Sequence, residues 1–414
     1  MSHSHSSTDV DYGEPRRLLA SVLALVVLGI AAAAIAGMIT LWPDSDDVPR
    51  GENPYAGEGV TTVSGEVVRV QPFDCESGGE GPDQQPSVAG DCAKVTASTD
   101  DDEAVFNLDP GRFRAGIDVG DDVRMIRIQP AGQSASYEFL DFKRGLPLVV
   151  IAITFALLVV LVARWRGLFA IVGIGVTLLA LTQFMLPAML AGESPMQVAV
   201  VGSTAIMIAV LYLAHGVSIR TTSALFGTLA GIGLTAFLGV LSTGWTNLNG
   251  IGSEDDQTLV ATVPALDLSG VVAATMVIAG LGVLNDVTVT QASAVWELRA
   301  LRPAADRLAV FASAMRIGRD HIASSVYTLV FAYAGSAMTV LLLITAYQRG
   351  LSEVAISEEV GQEIVRTLVG AIGLVLAVPI TTALAVLMAA KPLTDDGTDD
   401  SILPGTLARG PIAP

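Results

Sequence analysis

The sequence predicts an α-helical polytopic membrane bundle of about eight transmembrane (TM) helices, with a small extracytoplasmic all-β, OB-like barrel between TM1 and TM2. Three observations predict this fold class. The chain of 414 residues is 51 % hydrophobic and has a mean hydropathy of +0.58, which is too apolar for an ordinary soluble protein. Apolar runs of bilayer length recur along it. One long polar segment, residues 43–144, separates the first run from the others.

Apolar stretches of about 20 residues, the length that crosses a bilayer as a helix, define the predicted spans. They are residues 18–41, 146–163, 168–185, 198–214, 222–241, 268–296, 321–346 and 365–389. The first is too long for a cleaved signal peptide, and no small-residue cleavage site follows it, so we interpret it as an anchor. The predicted organisation is a disordered cytoplasmic leader (1–17), a TM1 anchor (18–42), an extracytoplasmic β-barrel-like domain (43–144), a seven-helix membrane domain (145–390) and a disordered cytoplasmic tail (391–414).

The distribution of Lys and Arg predicts the orientation, because positive residues near helix ends are retained on the cytoplasmic side. The short loops on one side hold Arg16, Arg17, Arg164, Arg166, Arg220, Arg299, Arg302, Arg307, Arg316, Arg319 and Lys391. The short loops on the other side hold only Arg349 and Arg366. With an even number of spans, both termini are therefore expected in the cytoplasm.

The charge of the chain limits its partners. The net charge is −18, and the acidic residues concentrate in segments predicted to lie outside the membrane on the outer face. This argues against nucleic acid as a partner. The lipid bilayer is the expected environment, and the sequence is compatible with an oligomer. No cofactor and no metal site are expected.

The outer segment 43–144 has the pattern of short strands joined by tight turns. β-branched runs occur at 60–70, 93–97, 104–108 and 123–128. Five or so strands with a long insertion between the first two favour an OB-like Greek-key barrel over a sandwich. Such a barrel would dock an extracytoplasmic protein partner through residues 43–144 or have a purely structural role; a ligand site of its own is the third alternative.

The only two cysteines of the chain lie in this outer segment. Cys75 and Cys92 flank most of the insertion, residues 73–90, on the side of the membrane that is oxidising. This compartment predicts a disulfide between them, and two separate thiols are the alternative.

Asp286 is the most informative residue of the membrane region, because it lies with Asn285 inside the apolar run 268–296. A charged Asp at the centre of a spanning helix costs about 2.5–3.5 kcal/mol on insertion scales, so such residues usually face a polar environment and have a function. Helical spacing places several small or polar residues on the same face as Asp286, namely Thr275, Ala279, Gly282, Thr290, Ser293 and Glu297.

We interpret this face as a proton or ion pathway. The residues assigned to it are Asn285, Asp286, Thr290, Ser293 and Glu297, together with Arg319 from the next span as a neighbouring cation. Asp320 and His321 are candidates for a relay. The alternatives are a stripe on which helices pack, an Arg319 that only anchors a helix end at the headgroups, and an interfacial position for Asp320 and His321.

A resemblance to a known family covers the same helix. The stretch GVLNDVTVTQASAVWEL, residues 282–298, resembles the signature of the YibE/F-like family of bacterial membrane proteins, and the resemblance extends over about residues 146–389. It implies a multi-pass protein of the bacterial inner membrane, with a single N-terminal span and an outer barrel before the membrane region. Members of this family are generally described as membrane proteins of uncertain function.

A weaker resemblance is to the proton-driven SecD/SecF proteins. It rests on Leu284-Asn285-Asp286 in one span and on Arg319 followed by Ile322 and Ser324 in the next. In those proteins the corresponding Asp and Arg are linked to proton movement, which implies that role for Asp286 and Arg319. The chain lacks the large outer domain expected between the third and fourth spans.

The sequence carries no Walker-type phosphate loop, no zinc-protease helix motif and no Gly-x-Ser-x-Gly elbow, so no enzyme activity is expected. The leading hypothesis is a proton-coupled transporter or energy-coupling membrane protein that uses an intramembrane Asp. The alternative is a non-transporting envelope scaffold whose outer β domain docks a partner.

Overall fold

The computed structural model describes residues 17–44, 46–49, 57, 59–75, 90–100, 102–130, 132–348 and 350–389. Nearly all of the predicted leader, the whole of the predicted tail and most of the insertion lie outside these residues. The chain forms two compact units. One comprises Met1–Pro49 and Trp165–Pro414, and the other is Arg50–Arg164.

The secondary structure is mainly helical. The helices are α1 (Arg17–Thr40), α2 (Pro110–Arg114), α3 (Gly145–Ala180), α4 (Leu186–Leu190), α5 (Pro195–His215), α6 (Ile219–Thr246), α7 (Glu254–Thr262), α8 (Leu268–Leu301), α9 (Arg307–Ser336), α10 (Met338–Ala346), α11 (Leu351–Ala355) and α12 (Glu358–Met388). The strands are β1 (Val60–Phe73), β2 (Cys92–Thr99), β3 (Glu103–Leu108), β4 (Asp122–Ile128) and β5 (Ser136–Phe142).

The helices have the lengths and composition of a multi-pass membrane protein. Within the described residues, 6 helical segments are long and apolar enough to cross a bilayer, or 7 if α9 and α10, bent by 62° at their junction, form one span. The longest segment, Gly145–Leu190, has 46 residues and would measure about 69 Å, more than twice the hydrocarbon thickness of a bilayer. It is interrupted at Arg164, whose φ of 56° and ψ of −133° are not helical. The parts on either side of Arg164 contain the predicted spans 146–163 and 168–185.

Helices α6, α8 and α12 form the centre of the bundle, flanked by α5 and α9. Glycines allow the three central helices to approach closely, as is usual in membrane bundles. A Cβ at Gly227 of α6 would overlap the side chain of Thr381 of α12, and one at Gly231 would lie 2.8 Å from a methyl group of Leu284. The central packing therefore depends on the absence of side chains at these positions.

An acidic side chain fixes the connection between α6 and α8. Glu358, at the start of α12, accepts hydrogen bonds from the backbone N–H groups of Asn249 and Gly250, each at 2.8 Å. Gly250 has a φ of +82°, a conformation that favours glycine. The same connection contains α7, which begins with a capping box between Ser253 and Asp256. The predicted polar loop is thus an ordered structure held on α12.

The unit Arg50–Arg164 contains an antiparallel half-barrel of five strands in the order β3-β2-β1-β4-β5. The four predicted strand runs are confirmed as β1 to β4. Gly65 of β1 pairs with both neighbouring strands, and a Cβ there would lie 2.6 Å from the carbonyl oxygen of Ser98. The outermost strands β3 and β5 approach each other, since the rings of Phe106 and Phe139 stack at 5.9 Å.

The predicted disulfide between Cys75 and Cys92 is present, with the two Cα atoms 5.7 Å apart. Phe73 pairs with Cys92 at the end of the β1–β2 ladder, so the disulfide ties the base of the insertion to the sheet.

The last residues of β5 hold a stabilised carboxylate. The N–H of Phe142 and the guanidinium of Arg144 stabilise the carboxylate of Asp141 and lower its pKa.

Candidate functional site

Helix α8 carries most of the predicted site and passes through the centre of the bundle. Asp267 caps its start, accepting a hydrogen bond from the N–H of Gly270 at 2.9 Å, and Arg302 follows its last turn. The helix has 34 residues. Asp286 lies about 27 Å from the first residue of the helix and about 22 Å from the last. Its position corresponds to the interior of a membrane span.

The face that contains Asp286 is open. Asp286 is exposed, as are Ala279, Gly282 and Glu297, whereas the remaining residues of the predicted face are half-buried: Thr275, Thr290 and Ser293. A Cβ built at Gly282 meets nothing within 4 Å. We call this side of α8, from Thr275 to Glu297, the open face. Packing within the bundle takes place on its opposite side.

The carboxylate of Asp286 forms no hydrogen bond or ion pair with any described residue. The hydroxyl of Thr290, one turn along the face, donates to the backbone carbonyl of Asp286 at 2.7 Å. Beside it, the side-chain oxygen of Asn285 is buried and has no hydrogen-bond partner among the described residues. The open face therefore presents a carboxylate that is available to a cation or a proton, and a buried amide oxygen without a hydrogen-bond partner lies beside it.

The residues predicted on α9 lie near the contact with α8 but do not join Asp286. Arg319 and Asp320 are exposed and His321 is half-buried. No ion pair between Asp286 and Arg319 occurs in the described structure. The contact is made by Gly318, where a Cβ would lie 2.9 Å from the amide nitrogen of Gln291 of α8.

The opposite side of α8 holds polar residues that the sequence analysis missed. Thr288, Gln291 and Arg299 are almost completely buried, and we call their side of the helix the closed face. The hydroxyl groups of Thr288 and Thr228 of α6 are 2.7 Å apart, and Thr382 of α12 donates to the amide oxygen of Gln291 at 3.0 Å. Hydrogen bonds therefore join α8 to both other central helices.

The signal for the closed face was present in the sequence. Thr288, Gln291 and Arg299 lie three and eight residues apart, a spacing that places them on one side of a helix. Because this side also carries Leu284 and Val295, the sequence pattern alone indicates an apolar face. Polar side chains buried among apolar residues are the ones that hydrogen-bond across helices in a membrane.

The family of the chain follows from its membrane region. The family described as YibE/F-like protein matches residues 151–391, more than half of the chain. The chain belongs to the YibE/F-like protein family. None of the curated proteins and none of the solved structures compared with it matches significantly. The weaker resemblance to SecD/SecF is supported by none of these comparisons.

The matched region of this YibE/F-like protein contains most of α3, all of α4 to α12 and therefore both faces of α8, whereas α1 and the half-barrel lie before it. The family relationship therefore concerns the helical bundle. The predicted pathway residues Asn285, Asp286, Thr290, Ser293 and Glu297 are all within the match, as are Arg319, Asp320 and His321.

The end of α8 is closed by Arg299. This side chain is 1 % exposed, and one of its terminal nitrogens donates to the carbonyl oxygen of Ala305 at 2.7 Å. It thereby holds the turn between α8 and α9. In the sequence Arg299 counted only as one of the positive residues that set the orientation, but in the YibE/F-like fold it is a packed structural residue.

Proposed function

We propose that this YibE/F-like protein is a non-enzymatic proton-coupled transporter or energy-coupling protein of the bacterial inner membrane, in which Asp286 binds and releases the proton. The observation that carries the proposal is an exposed carboxylate at the middle of a long apolar helix, without a partner among the described residues. A carboxylate in this position is too costly to face lipid as a charge, so protonation or contact with water must accompany it.

The residues that follow Asp286 support a route for the proton. Thr290, Ser293 and Glu297 are spaced four, three and four residues along the open face, so successive side chains are separated by about 4.5–6 Å along the helix axis. Hydroxyl and carboxyl groups both donate and accept hydrogen bonds. Together with bound water, they would form the stations between the middle of the membrane and the end of α8 that we predict to be cytoplasmic.

The closed face supports the same proposal from the other side of the helix. Its hydrogen bonds with α6 and α12 hold α8 in a fixed orientation, so the open face keeps its direction when Asp286 changes charge. Arg319 is the proposed tuning residue. It lies about 18 Å from the first residue of α9, and Asp286 lies about 22 Å from the last residue of α8, so their depths are similar. A small rearrangement of α9 would bring the guanidinium towards the carboxylate.

The proposed topology has eight spans with both termini in the cytoplasm. The break at Arg164 supports two spans in the segment Gly145–Leu190, which raises the six apolar segments to seven spans, and the bent pair α9–α10 supports an eighth. The distribution of Lys and Arg supports the orientation. The half-barrel between the first two spans would then lie outside.

The test compares Asp286→Asn and Asp286→Glu with the wild-type protein in liposomes that contain a pH-sensitive dye and carry a K⁺ diffusion potential. We expect Asp286→Asn to lower the potential-driven proton flux at least about tenfold, because the amide cannot exchange a proton in this pH range, and Asp286→Glu to retain part of it. Asp267→Asn is the matched control. It makes the same chemical change at the cap of the same helix, where Asn caps as well as Asp.

Equal fluxes in Asp286→Asn and wild type would rule out the proposed role of Asp286. A wild-type flux no higher than that of empty liposomes would rule out proton conduction altogether. A flux lost equally in Asp267→Asn would point to damage of the helix.

A scaffold role is the second candidate, and the independence of the half-barrel favours it. The unit has its own core, formed around Val67, Val95 and Met125, and its own disulfide. It also exposes the apolar side chains of Val105 and Val119, which a protein partner would cover. The strand order, with β1 between β2 and β4 and with β3 close to β5, supports an OB-like barrel. If a null strain is rescued by Asp286→Asn but not by a chain without residues 57–142, the scaffold role is the better account.

A further inference from the structure

A small pocket lies where the end of α5, the start of α6 and the inner half of α8 meet. Its polar lining consists of His215, Arg220, Thr221 and Ser293, and three apolar side chains complete it. In the predicted orientation this is the cytoplasmic end of the bundle. The pocket is separate from Asp286, which is about two helical turns from Ser293 along α8.

Positive charge is concentrated at this pocket. Arg166, just beyond the break in α3, and Arg220 are close enough to His215 for their charges to act on it. None of the three forms an ion pair with a described residue. The nearest carboxylate along α8 is Glu297, one turn beyond Ser293, and it does not line the pocket. Two permanent cations from different helices therefore surround an ionisable imidazole with no anion to balance them.

The remaining polar groups of the pocket suit an anion as well. The hydroxyl of Ser293 has no hydrogen-bond partner among the described residues. Thr221 lies in the first turn of α6, where its hydroxyl contacts Ser218 and the carbonyl oxygen of His215, and its N–H is capped by the hydroxyl of Ser218. This first turn directs the positive end of the helix dipole outwards. Guanidinium, imidazole, hydroxyl and backbone N–H are the donors that bind phosphate.

We propose that this pocket, whose volume of about 10 Å³ has room for one oxygen-sized group, takes an oxygen of a phosphate group presented by an anionic lipid headgroup of the cytoplasmic leaflet or by free phosphate. Basic pockets between transmembrane helices on the cytoplasmic side are known to hold anionic headgroups. A single Arg at the membrane interface needs no pocket, because its long side chain reaches the headgroup region by itself. Here, by contrast, Arg220 and His215 from two helices line one concave site, Arg166 lies near enough to act on His215, and Ser293 offers a hydroxyl donor. The inference does not depend on proton transport by Asp286.

The experiment uses the full-length protein in neutral detergent and measures bound lipid by native mass spectrometry, with three probes: phosphatidylglycerol, phosphatidylcholine and inorganic phosphate. We expect phosphatidylglycerol to bind the wild-type protein and Arg220→Gln to weaken that binding about tenfold or more, the loss of a charge-assisted hydrogen bond. Arg316→Gln is the matched control, because Arg316 is an exposed arginine of α9 outside the pocket. It is expected to bind like the wild-type protein.

The outcomes distinguish the two sources of the phosphate from each other and from a failure of the proposal. Selective binding of phosphatidylglycerol identifies the lipid headgroup as the source of the phosphate. Equal binding of inorganic phosphate at the same site identifies the free anion as the source. Phosphatidylglycerol binding that is unchanged in Arg220→Gln, or that falls equally in Arg316→Gln, overturns the proposal, since the lipid would then be held by general surface charge.

A second variant guards against misfolding. His215 is exposed at the last residue of α5, so His215→Glu leaves the packing intact while placing a negative charge in the pocket. We expect it to abolish selective binding of phosphatidylglycerol with an unchanged thermal unfolding midpoint in the absence of lipid. Retained binding in this variant would also overturn the proposal.

Discussion

The two faces of helix α8 have similar residue types and opposite surroundings. The open face carries Thr290 and Ser293 near Asp286, and its exposed residues meet no neighbouring helix. The closed face carries Thr288 and Gln291, and both are bonded to other helices. The polar residues of α8 therefore have two different roles. On one side they join helices, and on the other they leave a titratable group accessible.

This difference separates stability from function. Changes on the closed face should alter the folding of the bundle, because its hydrogen bonds and close contacts connect three helices. Changes on the open face should leave folding almost unaffected and alter the proposed proton chemistry.

The largest expected difference concerns two glycines. Gly231→Ala on α6 places a methyl group 2.8 Å from a methyl group of Leu284 on the closed face, so α6 and α8 must move apart, and we expect a loss of about 1–3 kcal/mol of stability. Gly282→Ala on the open face meets nothing within 4 Å and should gain up to about 1 kcal/mol from its better helix propensity. Thermal unfolding in one detergent measures both. If the two variants unfold alike, the distinction between the faces is lost.

The next largest expected difference between the two faces is their accessibility to water. Both native cysteines form the disulfide, and the described chain has no free cysteine, so an introduced cysteine can be labelled selectively. We expect a water-soluble maleimide to react at Gly282→Cys at least about tenfold faster than at Leu284→Cys, because only the thiolate in contact with water is reactive. Equal and slow labelling of the two positions would show that the open face lies against lipid or another protein.

Much of the fold could be predicted because its signals are local. Apolar runs gave the membrane segments, β-branched runs gave β1 to β4, and the location of Cys75 and Cys92 gave the disulfide. The residues of the open face lie on one helix, α8, so the helical spacing used to group them applies. The period of a helix shows which residues share a side, but it does not show which side packs.

The direction of each face depends on residues distant in sequence. The closed face is buried because Gly231 on α6 and Gly318 on α9 leave room for α8 to approach, whereas Gly227 on α6 leaves room for Thr381 of α12. None of these glycines is distinguishable, by local pattern, from Gly282 on the open face. The interruption at Arg164 lies between the predicted spans 146–163 and 168–185, so the apolar pattern did indicate it. The bend between α9 and α10 lies inside the predicted span 321–346, so the apolar pattern did not indicate it.

The smallest expected difference compares two threonines on opposite sides of the helix. Thr288→Val removes the hydrogen bond with Thr228 and leaves that hydroxyl only its bond to the carbonyl of Ala224. Interhelical hydrogen bonds in membrane proteins contribute about 0.6 kcal/mol on average and up to about 1.7 kcal/mol, and we expect a destabilisation in this range. Thr290→Val removes only a bond to the backbone of its own helix, which should cost less than the smaller value. The pair Thr228→Val with Thr288→Val completes a double-mutant cycle, whose coupling energy isolates the hydrogen bond from changes in packing. A coupling energy of zero would mean that close packing alone, without this hydrogen bond, holds the closed face against α6.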